Sequence, residues 1–119
     1  MTKVFVYGTL KRGGRNQHFM EGQHFITEAH TTAGFTLYSL GYYPGMVRAP
    51  HDTQGVAGEL WAVDNDCLAL LDELEGVAEK LYERANITLA APLLDEPVHT
   101  YLYLPDIAGR PHLGSTFPV

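Results

Sequence analysis

Gly55-Val56-Ala57-Gly58-Glu59-Leu60-Trp61-Ala62-Val63 runs directly into Asp64-Asn65-Asp66-Cys67-Leu68-Ala69-Leu70-Leu71-Asp72-Glu73-Leu74-Glu75-Gly76. The first half is short, rich in β-branched and aromatic residues, and opens on glycine, which reads as a strand. In the second half Cys67, Leu70, Leu71 and Leu74 fall at i, i+3, i+4 and i+7, the spacing of one helix face. Asp64 or Asn65 supplies the N-cap and Gly76 the stop. Outward from this strand–helix junction, the apolar runs are all strand-like: Val4–Tyr7, Phe25–Thr32, Phe35–Leu40, Tyr82–Ala90 and Val98–Leu104. A weaker helix is expected from about Asn16 to Met20. Six short strands and one good helix predict an α+β fold, a curled sheet or small barrel with helices packed outside. The whole of 1–119 is expected to be a single domain, with an irregular tail from about residue 105 that is rich in Pro and Gly.

The chain has 119 residues and a formal charge of −6, distributed unevenly. Residues 1–50 carry five basic side chains against two acidic, whereas 51–119 carry three against twelve. An acidic total argues against nucleic acid and anionic membranes as partners, because phosphate contacts need clustered cations. A small anionic ligand could still sit against the basic first half. The single cysteine, Cys67, cannot close an intrachain disulfide and falls on the apolar helix stripe, where a core role is expected. The six histidines are too dispersed for a zinc site, so no metal is expected. No apolar run has the length of a membrane span or a signal peptide, which predicts a cytoplasmic protein. A monomer or weak homo-oligomer is expected.

Two segments carry candidate chemistry. Tyr7-Gly8-Thr9-Leu10 ends a strand at a glycine, where successive N–H groups can converge on an anion. The stretch Gly8–Arg15 is not a phosphate loop, since Gly14 and Arg15 stand where lysine and then a hydroxyl residue are required. At the helix end, Asp72, Glu73 and Glu75 crowd the negative end of the dipole, with Glu79 beyond. Mutual repulsion, the dipole and any burial all raise the pKa of Glu75 towards the range of a general base. The tyrosines are expected mainly in the core, with Tyr42-Tyr43-Pro44-Gly45 suited to a pocket rim. No Ser-His-Asp or G-x-S-x-G pattern supports a serine hydrolase.

Three ordered segments resemble the gamma-glutamylcyclotransferase-like family, nearest its gamma-glutamylamine cyclotransferase branch and small bacterial relatives. They are Val4-Phe5-Val6-Tyr7-Gly8-Thr9-Leu10-Lys11-Arg12-Gly13, then Leu37–Gly45, then Gly55-x-x-Gly58-Glu59-Leu60-Trp61 with Leu71-Asp72-x-x-Glu75-Gly76 and Tyr82-x-Arg84. The resemblance implies a small mixed β-barrel with flanking helices and a cavity at the Tyr7–Leu10 loop, with the basic first half as an anion-holding wall and the acidic helix end as a proton-accepting one. It implies that Glu75 is the general acid/base, that Tyr7, Gly8, Thr9 and Leu10 bind a γ-glutamyl group, and that Tyr82 and Tyr103 line the cavity. The implied reaction releases 5-oxoproline from a small γ-glutamyl compound by attack of its own α-amine, without a cofactor. The loop Gly13–Gln17, with Arg15 and Asn16, is the candidate selector of the leaving group. A second reading of the same cavity is a non-catalytic domain that binds or senses a small carboxylate.

Overall fold

The computed structural model describes residues 1–119. Nine strands form one mixed sheet: β1 Thr2–Val6, β2 His24–Thr31, β3 Phe35–Ser39, β4 Pro44–Arg48, β5 Ala57–Val63, β6 Tyr82–Ile87, β7 Leu89–Ala91, β8 Val98–Tyr103 and β9 His112–Gly114. One α-helix, α1 Asn65–Leu74, and a 3-10 turn at Gln17–Met20 pack on it. The strand–helix junction is as the sequence predicts, and the cap is Asp64, whose side chain accepts from Cys67 N at 2.7 Å. Three strands do not follow from the sequence pattern: β4 opens on Pro-Gly, which looks like a turn, β7 continues the apolar pattern of β6, and β9 lies within the segment expected as an irregular tail.

Alternation along the strands sorts side chains onto two faces. Phe5, Leu37, Met46 and Leu60, all fully buried, belong to one cluster that draws on β1 to β8, so the sheet curls around it. Val4 and Val6 point the other way and join Trp61, Val63, Cys67 and Leu71 beneath α1 and the 3-10 turn. The fold is α+β as expected, but the sheet is not a closed barrel: the strand order β7-β2-β5-β1-β8-β4-β3-β9 has two ends. A backbone bond from Ala57 N to Ser115 O, 2.8 Å, ties the segment after β9 back to β5. No helix is long and apolar enough to cross a membrane.

The sheet forks at β8. One edge of β8 is fully taken by antiparallel β6, from Tyr82↔Tyr103 to Ile87↔Val98. The other edge is shared by β1, parallel at Val4↔His99, and β4, parallel at Met46↔Leu102. β1 therefore ends where β4 begins, and Tyr7 bridges the gap. Its hydroxyl donates to Tyr101 O at 2.5 Å and accepts from Met46 N at 3.2 Å. Those bonds replace ladder bonds that the fork would leave unmade.

Beyond Tyr7 the loop is held by charge. Glu59 on β5 is only 6% exposed, and its carboxylate accepts from Arg12 N, Arg12 Nε and Trp61 Nε1 at 3.0, 3.0 and 3.1 Å. The Arg12 guanidinium also lies 3.6 Å from the centroid of the Phe25 ring. Arg12→Ala is expected to destabilise the fold by about 2–3 kcal/mol, because it strands a buried carboxylate. The half-exposed guanidinium keeps the figure below that of a fully buried pair. Urea unfolding of Arg12→Ala beside Arg12→Ala/Glu59→Gln checks this: the second change should recover part of the loss.

Candidate active site

Where β1 and β4 part, a cavity of about 230 Å³ opens between the Tyr7–Leu10 loop and the end of α1. Five segments bring polar groups to it: the loop after β1, the entry to β4 at Tyr43 and Pro44, the end of α1 at Glu75, β6 through Tyr82 and β8 through Tyr101. Gly8 is there for space. A Cβ on it would stand 2.8 Å from Cδ and Cγ of the Pro44 ring, so only glycine lets the loop pass against β4.

Gly8, Thr9 and Leu10 present N–H groups that are donors in none of the backbone bonds outside the helix and strands. The loop is fixed instead through its acceptors. Asn16 N donates to Thr9 O and Asn16 Nδ2 to Thr9 Oγ1, each at 3.0 Å, while Lys11 N donates to Gly8 O at 3.2 Å. Three N–H groups on a fastened loop can donate to an anionic or carbonyl oxygen with little reorganisation.

Glu75 follows the last helical residue and keeps a helical conformation, φ −81° and ψ −2°, before Gly76 breaks the chain away at φ +66°. It is half-buried and takes part in none of the four ion pairs. Burial raises its pKa from 4.5 to about 7. Repulsion from the neighbouring acids, which the sequence suggests, is not what moves it; Glu73 and Glu79 stay exposed to water, which screens them. Three tyrosines around it, Tyr7, Tyr82 and Tyr101, are hydrogen-bonded and held neutral. Burial, aided by the charge of Glu75, pushes the Tyr7 hydroxyl above the ordinary tyrosine range. Burial does the same to Tyr82, which donates to Pro44 O at 2.8 Å, and to Tyr101, which donates to Asp72 Oδ1 at 2.7 Å.

Tyr7, Gly8, Thr9, Leu10, Glu75 and Tyr82 thus line one cavity, although 68 positions (75 − 7) separate Tyr7 from Glu75 in sequence. Tyr103 does not line it. Its ring packs edge-on against Tyr82, centroids 5.3 Å apart, and its Cβ abuts Gly45. Tyr43, Pro44 and Asn16 do line the cavity, whereas Tyr42 is 78% exposed at the surface with Arg15 5.0 Å above its ring. Tyr101 was not singled out from the sequence. The signal available was its place on the same face of β8 as Tyr103, opposite Arg84.

The basic wall suggested by the charge distribution is not at this cavity. None of the fourteen lining residues is Lys, Arg or His. Lys11 Nζ donates to Phe117 O at 2.7 Å, Arg12 is committed to Glu59, and both border a separate groove beside Glu28 and His30.

A family model described as gamma-glutamyl cyclotransferase, AIG2-like, matches residues 4–116. A relative from Vibrio cholerae serotype O1 is 42% identical over 84 residues, spanning 71% of this chain and 70% of its own. Gamma-glutamylaminecyclotransferase A of Danio rerio is 39% identical over 93 residues, with 72% of this chain and 57% of that protein covered. The chain therefore spans a little over half the length of the Danio rerio relative. The crystal structure of an AIG2-like protein from Mus musculus superposes with a TM-score of 0.80 at 27% identity, over 98% of this chain and 88% of that one.

Proposed function

The chain belongs to the gamma-glutamyl cyclotransferase, AIG2-like family, and we propose that it releases 5-oxoproline from γ-glutamylamines with Glu75 as general acid/base. The carrying observation is that Glu75, with a pKa raised to about 7, lines the same cavity as Gly8, Thr9 and Leu10, a loop whose N–H groups donate to no backbone carbonyl. In its ionised form Glu75 takes a proton from the substrate α-ammonium, whose own pKa of roughly 8 lies close to it. The freed amine attacks the γ-carbonyl of the same molecule, so the nucleophile is already tethered to its target. The C–N bond to the leaving amine then breaks. The two protons shed by the α-nitrogen end on the leaving amine, carried through Glu75, and the carboxylate is restored. The loop amides take the α-carboxylate or the oxyanion of the γ-carbonyl.

The cation-free lining bears on the leaving group. A γ-glutamyl amino acid brings a second carboxylate, and burying it beside Glu75 without a basic partner is costly. A γ-glutamylamine has no carboxylate next to the scissile bond (in ε-(γ-glutamyl)lysine it lies at the far end of the lysyl chain, within reach of solvent), so the amine meets only the uncharged walls of Leu74, Leu81 and Tyr43. The test is to follow 5-oxoproline from γ-glutamylamines such as ε-(γ-glutamyl)lysine, from γ-glutamyl amino acids and from glutathione. Turnover is expected to be fastest on the γ-glutamylamines. Release from none of them overturns the reading, and tight binding of a small carboxylate without turnover would favour a sensing domain.

A further inference from the structure

We propose that Asp72, gripped by Arg84 and Tyr101, is a positioning residue that clamps the last turn of α1 to the β6–β8 ladder and so keeps the Glu75 carboxylate in the cavity. The proposal rests on the reading of Glu75 as the base. Beyond its backbone cap, in which Glu75 N donates to Leu71 O at 2.9 Å and Gly76 N to Glu73 O at 3.1 Å, the last turn of α1 has few side chains to hold it. It contains no basic residue, Leu71 is its last buried side chain, and Leu74 is 39% exposed. Carboxylates at the negative end of a helix favour fraying. A frayed end would let Glu75 swing into water, since no ion pair restrains its own carboxylate.

Asp72 stands three residues before Glu75, one turn back along the helix. Its Oδ1 accepts from Arg84 Nε at 2.9 Å and from Tyr101 OH at 2.7 Å. Arg84 and Tyr101 are directly paired across β6 and β8, so the two donors are presented by one rigid ladder. The Asp72 carbonyl also accepts from Val77 N at 3.0 Å, which folds the chain beyond Gly76 back onto the turn. Bonds to charged groups are the stronger kind, and with Asp72 and Arg84 each about 30% exposed this pair is better shielded than a surface pair. Tyr101 couples the clamp to the cavity: its ring is in the lining and its carbonyl accepts from the Tyr7 hydroxyl.

The groups facing Glu75 are Tyr7 from the end of β1, Tyr43 before β4, Tyr82 from β6 and Tyr101 from β8, all of them phenols. On its own segment the charges are Asp72, neutralised by Arg84, and the exposed Glu73, Glu79 and Lys80. Loosening the clamp therefore exposes Glu75 to water without bringing a new charge to it.

The test titrates the Glu75 carboxyl carbon by 13C NMR in wild type, Asp72→Asn and Tyr101→Phe, with Glu75→Gln assigning the resonance. In Asp72→Asn the midpoint should move from about 7 towards 4.5. kcat should fall about ten- to a hundredfold, with KM within twofold. Tyr101→Phe, which keeps the Arg84 bond, should show a smaller change in the same direction, and it decides the matter if Asp72→Asn does not fold. An unmoved Glu75 titration in the folded variants overturns the clamp. If wild type turns over no γ-glutamyl compound, the cyclotransferase reading fails, while the titration still decides whether Asp72 positions Glu75.

Discussion

Glu75→Gln should lower 5-oxoproline release by about 10²–10⁴-fold while leaving KM close to that of wild type. The amide keeps the size and most of the packing of the carboxyl but can neither take the ammonium proton nor return it to the leaving amine. In wild type, kcat/KM should rise with pH along a limb centred near 7, where Glu75 ionises, and the residual rate of the variant should lack that limb. A variant that retained wild-type turnover would remove Glu75 from the chemistry.

The same substitution should stabilise the protein at high pH. Glu75 titrates at about 7 in the fold and near 4.5 when unfolded, so between those values the folded chain holds a proton that the unfolded chain has lost. Wild-type stability accordingly falls as pH rises from 4.5 to 7 and stays at the lower level above that. Glutamine abolishes this slope. At pH 8 the variant is expected to be more stable by about 1–2 kcal/mol, less than the full shift implies because Glu75 is partly in contact with cavity water. Denaturant unfolding at pH 5 and pH 8 measures the difference. Loss of activity with gain of stability is the pattern of a group held in place for function.

Tyr7→Phe should be the most destabilising single-atom change in the molecule. The ring stays in the inner cluster, but the Met46 N–H and Tyr101 C=O lose the hydroxyl that pairs both of them. Two orphaned backbone groups at the fork of the sheet cost about 2–4 kcal/mol together. For a chain of this size that lowers Tm by on the order of 10 °C. Because the same hydroxyl spaces β1 from β4, the cavity should change shape as well, and KM should rise alongside the thermal shift. Calorimetry with substrate kinetics on one preparation checks both. A Tm within a degree or two of wild type would mean that the fork is held by something other than this hydroxyl.

Much of this architecture is local and so legible in order. The period change from alternation in Ala57–Val63 to a 3.6-residue repeat in Asn65–Leu74 marks the β5–α1 junction, and Asp64 and Gly76 mark the helix ends. Gly8 after a buried strand indicates a close approach, which turns out to be to Pro44. The parts that escaped the sequence depend on partners far along the chain. β4 begins with two turn-forming residues and is a strand because β3 pairs with it along its length and β8 touches it at Met46. β9 has three residues and exists by pairing with β3. Tyr101 and Tyr103 look alike in sequence, yet one lines the cavity and the other packs behind Tyr82, because β6 and the forked edge of β8 set their neighbours.

Taken alone, the sequence determined the α+β class, the capped helix and the two segments that matter, because periodicity, capping and glycine act within a few residues. It also placed a positive first half against a negative second half. Only the tertiary structure decided what that division means. Lys11 and Arg12 turn away to Phe117 and Glu59, so the cavity keeps an acidic residue and no basic one. It decided, too, that the carboxyl of Glu75 is tuned by desolvation and not by its charged neighbours. Charge can be counted along a chain, but its effect depends on which groups lose water and which are paired, and both are set by packing.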